Sequence, residues 1–405
     1  MITSIKQLKG NRGEWGEAYA FCHVLGTGRI ASTDDNLKVN ERQIVSVGSV
    51  KRREASDRNF EYLINTDEET VDIIKNGVKL RTVAQVEFEN CAQVIFDGIK
   101  SLRGRSFAIP EADGFLQTIG CHKLKPSDTD KPDLVVHIFD PKTSSEYDMK
   151  YSVKCMAGSR PSLVNPSGLT YFYYELVDFD ASGFHAVSTI PQNQVKNRVA
   201  ACRDHSSSIR YRSLSPDAGT FKRNLARVHP YAESTLGYMI LESYFVKGKH
   251  SRQILGRVKR SNPLDEEDAS LYDIAFRQYL WAAFCGMVPS VDWAHKDTVD
   301  GFLLINEVGD TLSYPIVKRG AFEEHLIDTT CFDTPSTSSD RPTAKTGEIY
   351  ECNSRYYLTL NLQIKYDANG AKAEHRPKVR CVKTANTSTS TGASAKCSTI
   401  TFGYH

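Results

Sequence analysis

The chain has no long apolar run. No window approaches 18 uncharged apolar residues, so no membrane-spanning helix is expected. Its first residues, Met1-Ile2-Thr3-Ser4-Ile5-Lys6, lack the apolar core of a secretion signal, so the expected compartment is the cytoplasm. Paired cysteines are missing too. The ten cysteines fall singly at 22, 91, 121, 155, 202, 285, 331, 352, 381 and 397, with no Cys-x-x-Cys. That spacing supports neither a zinc site nor a thioredoxin-like motif and predicts reduced, buried thiols. Net charge is almost absent, at +2 over 405 residues. Taken over the whole chain, it says nothing about a polyanionic partner. The length is enough for a large core and two or three domains.

The near-neutral balance hides an asymmetry. Residues 196–260 carry 14 Lys and Arg against 4 Asp and Glu, so this stretch is about +10 and the rest about −8. Lys196, Arg198, Arg223, Arg257 and Lys259 are candidate phosphate contacts within it. The alternative is that acids from other segments cover these cations in the fold.

The most informative local pattern spans 132–155. Leu134 to Phe139 alternates as a strand, Asp140-Pro141-Lys142-Thr143-Ser144-Ser145 is turn chemistry, and Tyr147 to Cys155 reads as the return strand. A hairpin centred between Thr143 and Ser144 pairs 133 with 154, because opposed residue numbers sum to a constant in an antiparallel ladder. Alternation then puts Lys150, Ser152 and Lys154 on one face and Tyr151, Val153 and Cys155 on the other.

An acid at the start of one strand and a lysine near the end of the next suit metal-assisted phosphodiester hydrolysis. A hard cation such as Mg²⁺ takes oxygen ligands, and a lysine beside it orients water and offsets phosphate charge. Asp133 is then the metal ligand, Lys154 stands at the nucleophile, and the Val153 main-chain carbonyl is a further ligand. This layout resembles that of PD-(D/E)XK nucleases, with Ser152 where the motif has Glu or Asp. The hairpin alone also fits a surface ion pair worth about 0–1 kcal/mol.

A helix is predicted from about Gly13 to Leu25, with Trp15, Ala18, Tyr19 and Cys22 as its apolar stripe. Glu14 and Glu17 sit three apart on one face. Acids in a first turn can simply complement the helix dipole. Alternatively, one of them, Glu17 in preference to Glu14, supplies the carboxylate that Ser152 cannot. Asp148 and Glu111 are fallbacks, Asp148 a poor one at roughly 20 Å along its strand.

Five blocks in order extend the pattern: Asn11-Arg-Gly-Glu-Trp-Gly-Glu-Ala-Tyr19; Ser152 through Thr170; Gly286-Met-Val-Pro-Ser-Val-Asp-Trp293; Asp300-Gly-Phe-Leu-Leu-Ile305; and Tyr357 through Lys365. Together with the acid–lysine hairpin they resemble the HpaII family of type II restriction endonucleases, from about residue 5 to 366. The resemblance implies double-strand cleavage of duplex DNA at a short palindrome, CCGG in the name-giving member, with Mg²⁺ and with 5′-phosphate and 3′-hydroxyl ends. It also implies a methyltransferase acting on the same site in the host. Asp133 and Lys154 match the catalytic pair, Glu14 and Glu17 match the N-terminal Gly-Glu-x-x-Glu block, and the family also has Ser before x-Lys. The family tends to show Asn-Ala-Ser and Thr-Asn-Phe after the lysine strand, where this chain has Asn165-Pro166-Ser167 and Thr170-Tyr171-Phe172.

The loop 158–170 follows the lysine closely enough to touch DNA. Gly158 and Ser159 allow close approach to a phosphate, and Asn165, Ser167 and Thr170 suit base edges or phosphates. It also reads as a plain connector. Trp293 is expected in the core. Asn361 and Gln363 are sheet-edge polar residues or base readers.

Elsewhere, 69–77 and 89–101 look helical, 171–177 and 184–189 look like further central strands, and Thr220–Val246 and Glu267–Cys285 carry helical spacing. The expected fold is α/β, a restriction endonuclease-like mixed central sheet flanked by helices, with helical and β additions. The expected division is a nuclease core at 1–195, a basic, mainly helical DNA-binding region at 196–295, strands packing on the core at 296–366, and a mobile Ser/Thr-rich tail at 367–405. A palindromic target suits a homodimer. The rivals are a non-catalytic DNA-binding protein on this scaffold and a nuclease with a different DNA target.

Overall fold

A computed structural model describes residues 7–33, 39–55, 57–125, 132–140, 144–158 and 160–367. The expected tail beyond 367 lies outside the described residues. The opening helix runs Arg12–Thr27. Asn11 caps it: the Asn11 side chain accepts the Gly13 and Glu14 amides, and Glu14 reaches back to accept the Asn11 N–H at 2.7 Å. The helix is buried on most sides, with Trp15, Ala18, Tyr19 and Cys22 joined by Phe21, Val24 and Leu25. Gly16 lets it lie directly on the lysine strand, since a Cβ there would stand 2.6 Å from the Cys155 Cβ.

The main sheet has nine strands in the order Arg29–Thr33, Thr311–Pro315, Gly301–Ile305, Ser145–Cys155, Leu134–Asp140, Val39–Ala55, Arg58–Asn65, Thr70–Lys75 and Val78–Ala84. Arg29–Thr33 also pairs with Val39–Ala55, so six of these strands close into a ring. Gly301–Ile305 runs parallel to the lysine strand, and Thr311–Pro315 parallel to Arg29–Thr33, so the sheet is mixed as expected.

Two expectations fail here. Residues 70–75 form a strand, not a helix. Val71 and Ile73 alternate inward, and Asn76-Gly77, both at positive φ, turn the chain into the next strand. Residues 181–188 form a helix capped by Asp180, and Tyr171–Val177 belongs to a separate four-stranded sheet with Ser208–Leu214, Arg355–Asn361 and Ile349–Cys352. Its short apolar run does not say which sheet it joins, and long-range pairing decided that.

Apolar side chains gather in two clusters. One is built from residues 8–157 together with Leu303 and Ile305, the other from 164–366. Strand Gly301–Ile305 is buried throughout and alternates between them, with Phe302 and Leu304 facing the second. The second cluster holds the helices Gly219–Val228, Ala232–Ser243, Ser251–Ser261, Ser270–Phe284 and Arg319–Asp328. Among the described residues, no helix is long and apolar enough to cross a membrane.

Candidate active site

The acid and lysine strands pair as expected, but two positions out of register. Asp140 closes on Ser145 and Leu134 lies opposite Tyr151, so Asp133 comes level with Ser152 rather than Lys154. The hairpin is centred one residue earlier because its return strand already starts at Ser145. A shift of two preserves the face, which is why the groups still meet.

Ser152 joins them. Lys154 Nζ donates to Ser152 Oγ at 2.8 Å, and Ser152 Oγ donates to Asp133 Oδ2 at 3.2 Å. The Val153 amide donates to the same oxygen at 2.8 Å, and the Asp133 amide to the Tyr151 carbonyl at 2.9 Å. The serine thus orients both charged groups. The Val153 carbonyl points the same way as its amide, past the end of the acid strand.

Glu17 reaches this cluster from the opening helix. Its Oε2 is buried with no hydrogen-bond partner. Burial, then the neighbouring Asp133 carboxylate, push its pKa up to about 8, opposed by Lys125, Lys154 and Arg52. A half-buried carboxylate beside a second one, with an orphaned oxygen, fits a hard cation, although no group of three or more His, Cys, Asp or Glu stands ready among the described residues. Glu14 lines the same cleft, but its carboxylate is engaged in the capping box. Asp148 is held by Lys51 at 2.7 Å and by His137 at 3.0 Å. Glu111 is exposed on the first turn of helix Pro110–Thr118.

These groups form one wall of a cleft of about 1330 Å³, whose other wall is the end of helix Ser270–Phe284 and the segment 285–299. Arg12, Arg105, Lys125, Arg160 and Lys296 also line it. The sequence reading missed all five. They are scattered singly along the chain, with no local signal to unite them. Lys125 owes its place to a buried pair. Arg52 binds Glu54 at 2.5 Å and also donates to the Lys123 and Leu124 carbonyls, while Glu54 accepts the His122 amide at 3.2 Å.

The remaining candidates part ways. Gly158, at φ 116°, packs so close to Arg12 that a Cβ would stand 2.8 Å from its Nη1. Ser159 lies outside the described residues. Asn165 is exposed and lines the cleft. Thr170 is fully buried and donates to Asn361 Oδ1 at 2.9 Å, while Asn361 Nδ2 donates to the Ser167 carbonyl at 2.8 Å. These three residues lock the loop to the last long strand, so Thr170 and Asn361 cannot reach bases.

Part of the basic stretch is engaged within the fold. Arg198 is buried and donates to the Gly347, Val187 and Ile190 carbonyls at 2.7, 3.1 and 2.5 Å. Arg223 pairs with Asp292 and Arg257 with Glu242. Arg212 and Arg252 likewise bind Glu175 and the pair Glu324 and Asp328. Lys196 is exposed and Lys259 half-buried. None of Lys196, Arg198, Arg223, Arg257 or Lys259 lines the cleft. Spacing along the chain could not show which acids would fold against them.

Comparison with known proteins fits this geometry. No solved structure matches the chain. The type II restriction enzyme HpaII of Haemophilus parainfluenzae is 27% identical over 365 residues, covering 88% of this chain and 98% of that protein. The family model described as HpaII restriction endonuclease matches residues 11–366. The chain therefore belongs to the HpaII restriction endonuclease family, type II enzymes that cut DNA at specific sites.

Proposed function

We propose that the cleft holds duplex DNA with a scissile phosphate against Asp133, Glu17 and Lys154, on a PD-(D/E)XK-type core. The observation that carries this reading is the unpartnered Glu17 oxygen beside the Lys154–Ser152–Asp133 chain, inside a cleft bordered by cations. Asp133, Glu17 and the Val153 carbonyl would hold Mg²⁺, which when bound supplies Lewis acidity toward the phosphate oxygens. Glu14 serves the helix cap and is at most an outer neighbour of that ion.

Lys154 is aimed by its bond to Ser152. It holds the attacking water in line with the phosphorus and offsets the charge that grows in the transition state. Ser152 therefore serves as the hinge of the site rather than as a failed metal ligand. Arg12 and Lys125 clamp neighbouring phosphates, while Arg160 is paired with Asp367 at 3.0 Å. The reaction leaves 5′-phosphate and 3′-hydroxyl ends, and the target is CCGG or a short palindrome related to it. Residues 1–195 supply the chemistry, 196–295 supply the opposing wall through their last residues, and 296–366 brace the core. Lys196 and Lys259 remain outlying phosphate contacts, and Asn165 a contact inside the cleft. Two copies acting on a palindrome in the cytoplasm, in a host protected by a methyltransferase, complete the reading.

Plasmid digestion by purified protein with Mg²⁺, beside Lys154→Ala and an EDTA control, tests it. Discrete fragments from the wild type alone are expected, and sequencing their ends defines the target. Duplex binding without cutting by the wild type would move the protein to the non-catalytic class. Cutting at non-palindromic or structured DNA would make it a nuclease of another substrate.

A further inference from the structure

The wall facing Lys154 is built in an unusual way. After helix Ser270–Phe284 the chain makes a loop, 286–299, before entering strand Gly301–Ile305. Its base is pinned where Thr298 Oγ1 donates to the Cys285 carbonyl at 2.9 Å. Its middle is held from behind by one fully buried side chain. Asn224 Nδ2 donates to the Val288 and Val291 carbonyls at 3.2 and 2.8 Å, and Asn224 Oδ1 accepts the Trp293 amide at 2.9 Å.

Asp292 is gripped by two guanidiniums. Arg223 binds both of its oxygens at 3.2 Å, and Arg227 binds one at 3.1 Å. That grip fixes the loop and neutralises an acid that would otherwise repel phosphate. Trp293 is half-buried against the second apolar cluster and serves as an anchor.

What this rigid frame presents is apolar. Val288 is 39% exposed and Val291 61%, and both line the cleft, with Lys296 beside them. Single exposed valines are ordinary. Two of them on one fastened loop, in the cleft that Lys154 and Asp133 also line, are placed to meet a substrate.

We propose that 286–299 is a preset recognition loop, in which Val288 and Val291 press on base edges or a base step of the bound duplex, Lys296 takes a backbone phosphate, and Asn224 with the Arg223–Asp292–Arg227 clamp sets its position. The proposal rests on the reading of the cleft as the DNA site. Apolar contacts of this kind discriminate bases by methyl contact or by wedging between them. Arg223 and Arg227 are then positioning residues, not phosphate contacts.

The test uses the full chain and two duplexes of about 30 base pairs. One carries the site defined by sequencing wild-type cut ends, and the other differs by one base pair in that site. The readout is the ratio of kcat/KM on the two. Val288→Ser with Val291→Ser is expected to lower that ratio about 10-fold or more with an unchanged melting temperature. Asn224→Ala is expected to lower it too, with Asn224→Asp failing to restore it because the carboxylate cannot donate to the two carbonyls. If Asn224→Ala does not fold, the valine variant still decides. Wild-type discrimination in the valine variant overturns the recognition loop while leaving the cleft reading intact. A wild type that neither cuts plasmid with Mg²⁺ in the preceding digestion nor binds duplex DNA overturns both.

Discussion

On the wall built by the opening helix and the acid–lysine hairpin, charged groups are held close together with an oxygen left over. Glu17 has no partner for Oε2, and Lys154 and Asp133 meet only through a serine hydroxyl. In the densest run of cations in the chain, five arginines are matched by acids: Arg212 by Glu175, Arg223 and Arg227 by Asp292, Arg252 by Glu324 and Asp328, and Arg257 by Glu242. Charge density along the sequence marks the second region, but incomplete pairing in space marks the first. A half-buried carboxyl with an unpartnered oxygen raises the free energy of the native state, a cost that the cation proposed above would offset.

Substitutions on the two sides should separate these roles, and Lys154→Ala should have the largest effect. It should lower cleavage on the order of 10²–10⁴-fold while gel-shift binding of the same duplex persists. Equal loss of binding would make the lysine a phosphate clamp rather than part of the chemistry. Glu17→Gln should also lose cleavage, on the order of 10²-fold or more, yet its melting temperature in EDTA near neutral pH should rise, because folding no longer has to protonate a carboxylate whose pKa burial and Asp133 push up to about 8. Glu14→Gln, one helical turn away, should keep its cleavage and nearly all of its stability, since a glutamine oxygen can still accept the Asn11 N–H. Matching behaviour of the two variants would remove the distinction drawn between them.

The matched side should respond in stability. Arg198→Ala leaves three carbonyls without their donor and should cost about 3 kcal/mol in urea unfolding. Lys196→Ala should leave unfolding unchanged and reduce the slope of log K against log salt by about one. A salt slope equal to that of the wild type would take Lys196 away from the DNA.

A smaller effect comes from within the second cluster. His325 sits among Phe302, Tyr314 and Phe322 and hydrogen-bonds Tyr366 at 2.9 Å. Burial lowers its pKa from 6.5 to about 4. The unfolded chain therefore binds the proton first, so stability is full above pH 6.5 and falls as pH drops toward 4, by at most about 3 kcal/mol. Thermal melts of His325→Gln across that range should show the slope removed.

The amino-acid sequence by itself determined the parts that depend on near neighbours. The capped opening helix, the acid and lysine strands, and the face shared by Ser152 and Lys154 follow from capping chemistry and from alternation, which act over a few residues. The order of five blocks was enough to indicate the family. Tertiary structure decided the rest. It placed Asp133 level with Ser152 rather than Lys154, because the closing pair of a hairpin is chosen by the whole ladder. It made 70–75 a strand and sent Tyr171–Val177 to a second sheet, because strand partners lie far apart along the chain. It engaged Glu14 with the Asn11 amide and left Glu17 Oε2 without a partner, although both sit on one helical face and line the same cleft. It gathered Arg12, Lys125 and Lys296 at one cleft and withdrew Arg198 from solvent. Pairing and burial of charge are properties of three-dimensional neighbours, and long-range packing selects those neighbours.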